Sequence, residues 1–380
     1  MQPAQHPNAN TALTLSMELS GKSWKIAATD GRQANPTLLS VDLEQRWLRF
    51  EEFLARIEAL KAKWKLPANA PVAVIYEAGQ DGFWIARALQ ARGVQVFVVD
   101  PASVPVTRHA RRRKTDRLDA IKLLEVLRAW LRGERSEVHM VRIPSEEAEA
   151  ERLLTRQRGL LQKEVLQHRD RMRKLLLLHG CAEIVDRGFA ERLMGGQVRR
   201  GDGRALPQQL WDWLLLECER LELVQRQLAG LEKTLMQQLP TSVQRTIASL
   251  AQLRGVGWVG ATRLVLELFW RDFANRRQVG ACTGLVPQPY DSGQSHTDQG
   301  ISKQGNARLR ALLIEMAWTW LKYQPDSEVA KWFAKRTAGE HKRGKRIAIV
   351  AVARRLAIEL WRYLKHGVIP AGAQMKAAGC

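Results

Sequence analysis

The order of short apolar runs in the first third of the chain constrains the fold more than any other feature. From Thr11 to Leu19 residues alternate, with Leu13, Leu15, Met17 and Leu19 on one face and Thr14, Ser16 and Glu18 on the other, which specifies a strand. After Gly21 a second strand runs from Trp24 to Ala28, turning at Asp30 and Gly31, and Thr37 to Val41 reads as a third. Leu43 to Trp64 then carries the pattern of an amphipathic helix. Pro71 opens a β-branched run, Val72 to Tyr76, which ends at Glu77 and turns through Ala78 and Gly79 into a helix from about Asp81 to Ala91. Val94 to Val99 is another buried strand, and one more helix follows a basic connection. The order is βββαβαβα.

That is the order of a ribonuclease-H-like domain, whose metal-binding acids sit on the first strand, at the end of the fourth strand and on the last helix. Here those places hold Glu18, Glu77 and the pair Asp116 and Asp119. The last two are three residues apart, so a helix sets both carboxylates on one face about 5 to 6 Å apart. Carboxylate oxygens are hard ligands of the kind that chelate Mg²⁺. Plainer readings fit the same residues one at a time. Thr115 is a good N-cap, and aspartate in a first helical turn is favoured by the helix dipole alone. Glu18 would suit an exposed edge strand, and Glu77 the start of a turn, although it lies at the strand end where open α/β sheets place ligands.

Immediately before this helix the chain reads RHARRRK, with Arg108, Arg111, Arg112, Arg113 and Lys114 placing five cations in seven positions. Over its 380 residues, 60 Lys and Arg face 39 Asp and Glu, a formal net charge of +21. An excess of that size points to nucleic acid, with an anionic membrane surface as the weaker option. The four cysteines, Cys181, Cys218, Cys282 and Cys380, show neither CxxC nor zinc-finger spacing, so a zinc site and a disulfide framework are both unsupported. With no signal-peptide pattern and no apolar run of spanning length, the expectation is a cytoplasmic protein, nucleoid-associated when bound to DNA, without membrane partners.

From about Ser145 to Pro240 the chain becomes long, charge-rich helix. Leu154, Leu161, Val165, Met172 and Leu175 are spaced by 7, 4, 7 and 3, and Leu214, Leu221, Val224, Leu228, Leu231, Leu235 and Leu239 by 7, 3, 4, 3, 4 and 4. Both are heptad seams, separated by a Gly- and Arg-rich break from Gly195 to Pro207. They fit an antiparallel hairpin or coiled-coil dimer arm, and equally an ordinary helical pair packed within one subunit.

Pro240 closes this stretch. LRGVGWVGATRLVLEL, from Leu253 to Leu268, resembles the second half of a helix-hairpin-helix, in which the turn carrying Gly255 and Gly257 presents backbone N–H groups to a phosphate. A packing corner between two helices is the plainer reading. Next, Gly284, Pro287, Pro289 and Gly293 impose a rigid loop holding Ser292 between Asp291 and Gly293, and glycine beside a hydroxyl admits a phosphate close to the backbone. Asp-Ser-Gly is also a common turn. Gly300 to Asn306 is a second phosphate-compatible turn, with Asn306 as N-cap and Lys303, Arg308 and Arg310 nearby.

Three stretches together carry a resemblance: YEAGQDGFW at Tyr76 to Trp84, VVDPASVPVTRHARRRKTDRLDAIKLL at Val98 to Leu124, and GLVPQPYDSGQSHTDQGISKQGNARLR at Gly284 to Arg310. In this order, over nearly the whole chain, they resemble the DEDD transposases of the Piv/MooV type, insertion-sequence recombinases guided by a bridge RNA. The resemblance implies a RuvC-like domain over residues 11–135, a coiled-coil arm over 145–240 and a mainly helical C-terminal transposase domain over 241–370, an α/β plus α protein. It implies Mg²⁺ held by Glu18, Glu77, Asp116 and Asp119, a nucleophilic serine at Ser292, and a dimer or tetramer formed through the arm. Its partners would be donor DNA, target DNA and the guide RNA. One departure stands out. Most such proteins have aspartate as the first acid, where Glu18 is longer by one methylene. Ser295 is the alternative hydroxyl.

The implied reaction is attack of the Ser292 hydroxyl on a DNA phosphate, giving a phosphoserine link that is later resealed to a different strand. Serine is a weak nucleophile that needs a base or a metal ion to activate it. Three other functions stay open on sequence: a metal-only nuclease of the junction-resolvase kind with Ser292 as a turn residue, a non-catalytic nucleic-acid scaffold, and a ribonucleoprotein role unrelated to recombination.

Overall fold

A computed structural model describes residues 13–104, 115–134, 138–292 and 295–377. The chain divides into two compact units, Met1–Ser145 and Glu146–Cys380. The first is α/β and the second almost wholly helical.

The first unit is built on a six-stranded sheet in the order β3-β2-β1-β4-β5-β6. Its strands are β1 (Leu13–Leu19), β2 (Trp24–Thr29), β3 (Thr37–Val41), β4 (Val72–Glu77), β5 (Gln95–Val99) and β6 (Met140–Val141). β1, β2 and β3 form an antiparallel meander, β4 and β5 add in parallel, and β6 closes the far edge antiparallel. The two faces of β1 are used differently. Leu13, Leu15 and Met17 are fully buried in a core shared with α1 (Arg46–Lys63) and α2 (Trp84–Gln90). Thr14 and Ser16 point to the opposite face, which is also covered: α3 (Asp116–Leu131) lies across it, and the Ser16 hydroxyl donates to the Ala120 carbonyl at 2.5 Å. Alternation that looks half-exposed on sequence is thus a strand buried on both sides. The polar residues on one side meet helix backbone instead of water. β1 also lies inside the sheet, so Glu18 is not an edge residue.

In the second unit, α4 (Glu146–Leu178) and α6 (Gln208–Leu235) pack side by side with the short α5 (Phe189–Met194) around their own core. Leu161, Val165 and Met172 of the first heptad seam meet Leu214, Leu221 and Val224 of the second, so the seams close on each other within one chain. Glu217 is almost wholly buried in this pair and is held by His168 Nδ1 at 2.6 Å, Arg171 Nε at 3.1 Å and Arg220 Nη1 at 2.9 Å. Three cationic or ring partners around one carboxylate fix the register of the two helices.

The remainder, α7 (Thr241–Ala251), α8 (Trp258–Leu264) with a π turn at Val265–Phe269, α9 (Arg276–Thr283), α10 (Ala307–Tyr323), α11 (Glu328–Thr337) and α12 (Lys342–His366), packs around a second core centred on Leu313, Trp320, Val352 and Leu356. Where the sequence suggests a rigid loop there is a two-stranded ribbon, β7 (Pro287–Ser292) and β8 (Ser295–Ile301). Pro287 and Pro289 argue against a strand on sequence, but a ribbon with two open edges tolerates them, and the register shifts between these two prolines. Among the described residues no helix is long and apolar enough to cross a membrane.

Candidate functional site

β1 and β4 are parallel neighbours with Ser16 paired to Ile75 and Met17 to Tyr76, so Glu18 and Glu77 follow at the same end of both strands. Side chains alternate along a strand, which puts these two acids on the face of Ser16 and Ile75, the face that α3 covers. Both are half-buried. They line a cavity of about 260 Å³ together with Arg46 and Asp81, whose ion pair spans 3.1 Å. The turn after Glu18 is held by Arg49, a buried guanidinium that donates to the carbonyls of Ser20 (3.2 Å), Gly21 (2.9 Å), Glu44 (3.1 Å) and Leu43. Sequence reading passes over Arg49, because one cation in an amphipathic helix looks like a solvated side chain.

Thr115 caps α3 by accepting from the Leu118 amide at 3.4 Å, so the plain helix-start reading of this residue is correct as far as it goes. Asp116 is exposed, whereas Asp119 is half-buried and its Oδ2 is fully buried with no hydrogen-bond partner among the described residues. A buried carboxylate oxygen left unmatched costs free energy unless something outside the protein satisfies it. Asp119 immediately precedes Ala120, whose carbonyl accepts from Ser16 on β1, the strand that carries Glu18. The all-oxygen chemistry of Glu18, Glu77, Asp116 and Asp119 suits a hard divalent cation. Among the described residues, no group of three or more His, Cys, Asp or Glu side chains is drawn together closely enough to hold a metal ion. Arg108, Arg111, Arg112, Arg113 and Lys114 lie outside the described residues.

In the second unit, Ser292 ends β7 and pairs across the ribbon with Ser295 at the start of β8, so both candidate residues are backbone partners at one end of the ribbon. The root of the ribbon is tightly built. Gly284 is left-handed at φ 65° and the Lys303 amide donates to its carbonyl at 3.1 Å, with Lys303 itself left-handed at φ 56°. Arg310 Nη1 donates to the Gln304 carbonyl at 3.1 Å, and the Asn306 side chain caps α10 by accepting from Arg308 N and Leu309 N. Asn306 Nδ2 also donates to Glu267 Oε2 at 2.8 Å, which ties the ribbon root to the π turn. Lys303 and Arg310 thus have structural duties in this loop. Gly255 turns between α7 and α8 at φ 86° against Tyr323, and Gly257 is the N-cap of α8. The carbonyls of this turn are strapped by the C-terminal segment: Lys376 Nζ reaches Ala251 O at 2.6 Å and Val256 O at 3.0 Å.

Comparison with known proteins matches residues 43–180 to a DEDD transposase family model of the IS110 type, described as "Transposase", and residues 247–330 to "Transposase IS116/IS110/IS902 family". The first match takes in Glu77, Asp116 and Asp119 and begins beyond Glu18; the second takes in Ser292 and Ser295. The chain is 37% identical to "Putative transposase y4rJ" of Sinorhizobium fredii (strain NBRC 101917 / NGR234), covering 98% of each chain. It is 26% identical to the transposase for insertion sequence element IS1328 of Yersinia enterocolitica, over 79% of this chain and 85% of that one.

Proposed function

Since the chain belongs to the IS116/IS110/IS902 family of insertion-sequence transposases, we propose that it cuts and rejoins DNA strands with Mg²⁺ and a serine nucleophile, directed by a bridge RNA. The observation that carries this reading is the equal register of Glu18 and Glu77 beneath a helix whose Asp119 keeps a buried, unmatched oxygen. Glu18, Glu77, Asp116 and Asp119 would hold the ion. When bound, Mg²⁺ supplies positive charge at the scissile phosphate.

Ser292 does the covalent work. Its Oγ forms a bond to phosphorus as the bond from phosphorus to the departing deoxyribose oxygen breaks, and the hydroxyl proton ends on that oxygen. Resealing reverses these changes with a hydroxyl from a different strand. The carboxylates and Ser292 must therefore serve one phosphate in the assembled complex, within one subunit or between two. Leu153 and Leu177 on α4 and Trp213, Leu216 and Leu223 on α6 remain exposed although the heptad seams are satisfied in cis, which supports self-association through this pair of helices. Gly255, Gly257, Lys303, Arg308 and Arg310 would bind nucleic-acid backbone alongside the basic run at Arg108 to Lys114. Sequence choice would rest with the RNA.

The test is to incubate the protein, co-expressed with its RNA, with donor and target DNA. A protein–DNA adduct that survives denaturation in Mg²⁺ and is absent with a chelator is expected. Strand cleavage without any adduct would mean that water attacks and would replace this reading with metal-only hydrolysis.

Asp119→Asn removes the charge but keeps the shape. We expect cleavage to fall by about 100-fold or more while the melting temperature holds or rises, because a buried unmatched carboxylate is costly to the fold. A melting temperature that falls along with activity would make Asp119 structural. Glu18→Asp, the aspartate usual in the family, should stay within about tenfold of the parent in rate and shift the Mg²⁺ requirement, since octahedral Mg²⁺ is exacting about ligand reach.

A further inference from the structure

We infer that the trough between α4, α8 and α10 in the second unit is a seat for the phosphodiester backbone of a single nucleic-acid strand, with Arg263 and Arg308 as its principal ligands. It rests on reading the chain as a nucleic-acid enzyme, and assigns the strand a place in the second unit.

A cavity of about 440 Å³ opens here and shares Arg158, Gln162, Arg263 and Leu312 with a second of about 320 Å³, so the two form one continuous depression. Its first part is lined by Arg156, Arg158, Lys163, Arg263 and Arg308 against a single acid, Glu267. The pairing within it is uneven. Arg158 is matched by Glu232 at 2.6 Å and Arg156 by Glu267 at 3.6 Å. Glu267 is also engaged by Asn306 at 2.8 Å and Thr155 at 3.5 Å. Lys163, Arg263 and Arg308 have no ion pair among the described residues.

Arg263 is the telling member. It is half-buried, and burial draws its pKa below the usual guanidinium range although Glu315 and Glu267 act on it from a distance. Its one hydrogen bond among the described residues is a long one, from Nη2 to the Arg308 carbonyl at 3.4 Å, which leaves most of its five donors unused there. A cation partly withdrawn from water, in no close ion pair among the described residues, on the wall of an open trough, is the arrangement an anion completes. A guanidinium matches the geometry of a phosphate with two donors at once.

The form of the trough selects the anion. Two joined openings suit a chain of repeated charges better than one small phosphate. Their size suits one strand. Exposed Leu160 and Leu166 at the margin offer apolar surface to sugars and bases.

The test measures binding of labelled single strands, DNA and RNA of one sequence, to the full chain without divalent metal over a range of salt. Each single-strand phosphate contact contributes about 0.7 to the slope of log K against log salt. R263Q/R308Q is expected to lower that slope by about 1.4 and to weaken binding about tenfold or more, with the melting temperature unchanged or higher. K335Q on α11, outside the trough, should leave the slope alone. R308Q by itself changes an exposed residue at the start of α10 and keeps the test valid if the double variant folds poorly; it should lower the slope by about 0.7. Loss with DNA alone, RNA alone or both supports the seat and identifies which strand uses it. Parental slopes and affinities for both strands overturn it, and do so even where the covalent adduct still forms. A weakened slope in a protein that forms no adduct leaves the seat standing and removes the recombinase reading.

Discussion

Ser292→Ala is expected to abolish the covalent protein–DNA adduct and to reduce strand exchange by about 1,000-fold or more, the scale on which removal of a catalytic nucleophile acts. Ser295→Ala, made opposite it on the neighbouring strand, should retain most of the activity. The two serines are register partners at one ribbon tip, so the variants share location, chemistry and any effect on the ribbon's folding, and differ only in which hydroxyl is lost. If Ser295→Ala is the inactive variant, the nucleophile is assigned to the wrong strand. If both variants still cleave without an adduct, the carboxylates act alone. DNA binding should be unchanged in both, because a hydroxyl-to-methyl-like change removes no charge.

Gly284→Ala should damage the second unit more than any other single-atom-scale change. A Cβ at this position would stand 1.9 Å from the Gln304 carbonyl oxygen and 2.8 Å from Arg310 Nη1, on a residue already left-handed at φ 65°. Left-handed backbone costs a non-glycine residue about 1 to 2 kcal/mol, and the forced retreat of a hydrogen-bonded carbonyl adds about 1 to 3 kcal/mol. A loss of about 3 kcal/mol corresponds to a fall of roughly 6 to 12 °C in melting temperature for a unit of this size. Gly305, whose Cβ would stand 2.7 Å from the Cys282 carbonyl oxygen, is its counterpart across the same backbone crossing. An unchanged melting curve for Gly284→Ala would show that the ribbon root is looser than the geometry implies. Strand exchange should fall with stability, because this crossing anchors the ribbon carrying Ser292.

The order of elements in the first unit was legible because its strands announce themselves locally. β4 and β5 are short β-branched runs between turn residues, and β1 alternates cleanly. β6, with two residues, carries too little pattern to be read, and it exists because β5 offers an edge. The positions of Glu18, Glu77 and Asp119 followed from the order of elements. What remained hidden was which side of β1 is covered, since hydroxyls that bond to a helix carbonyl look the same in sequence as hydroxyls that face water. The heptad seams were equally readable but not their partner: leucines spaced for a coiled coil pack as well against their own chain, and here Leu161 and Leu214 do so. The trough could not be seen at all. Arg158, Arg263 and Arg308 come from three distant helices; Arg308 stands out in the sequence only as a neighbour of the Gly300–Asn306 turn, and Arg158 and Arg263 each resemble a solvated charge on a basic protein.

The hydroxyl-lined face of β1 has a consequence for synthesis. The meander of β1, β2 and β3 leaves the ribosome well before α3, so one side of it waits uncovered on the nascent chain. An apolar surface there would invite aggregation during the delay. Thr14 already bonds within the meander, to the Thr29 carbonyl at 3.1 Å, and Ser16 has only a long bond there, to the Ala27 carbonyl at 3.5 Å, until the Ala120 carbonyl arrives to accept its proton. A face that later becomes interior is therefore kept wettable while it waits, at the expense of some burial energy in the finished protein.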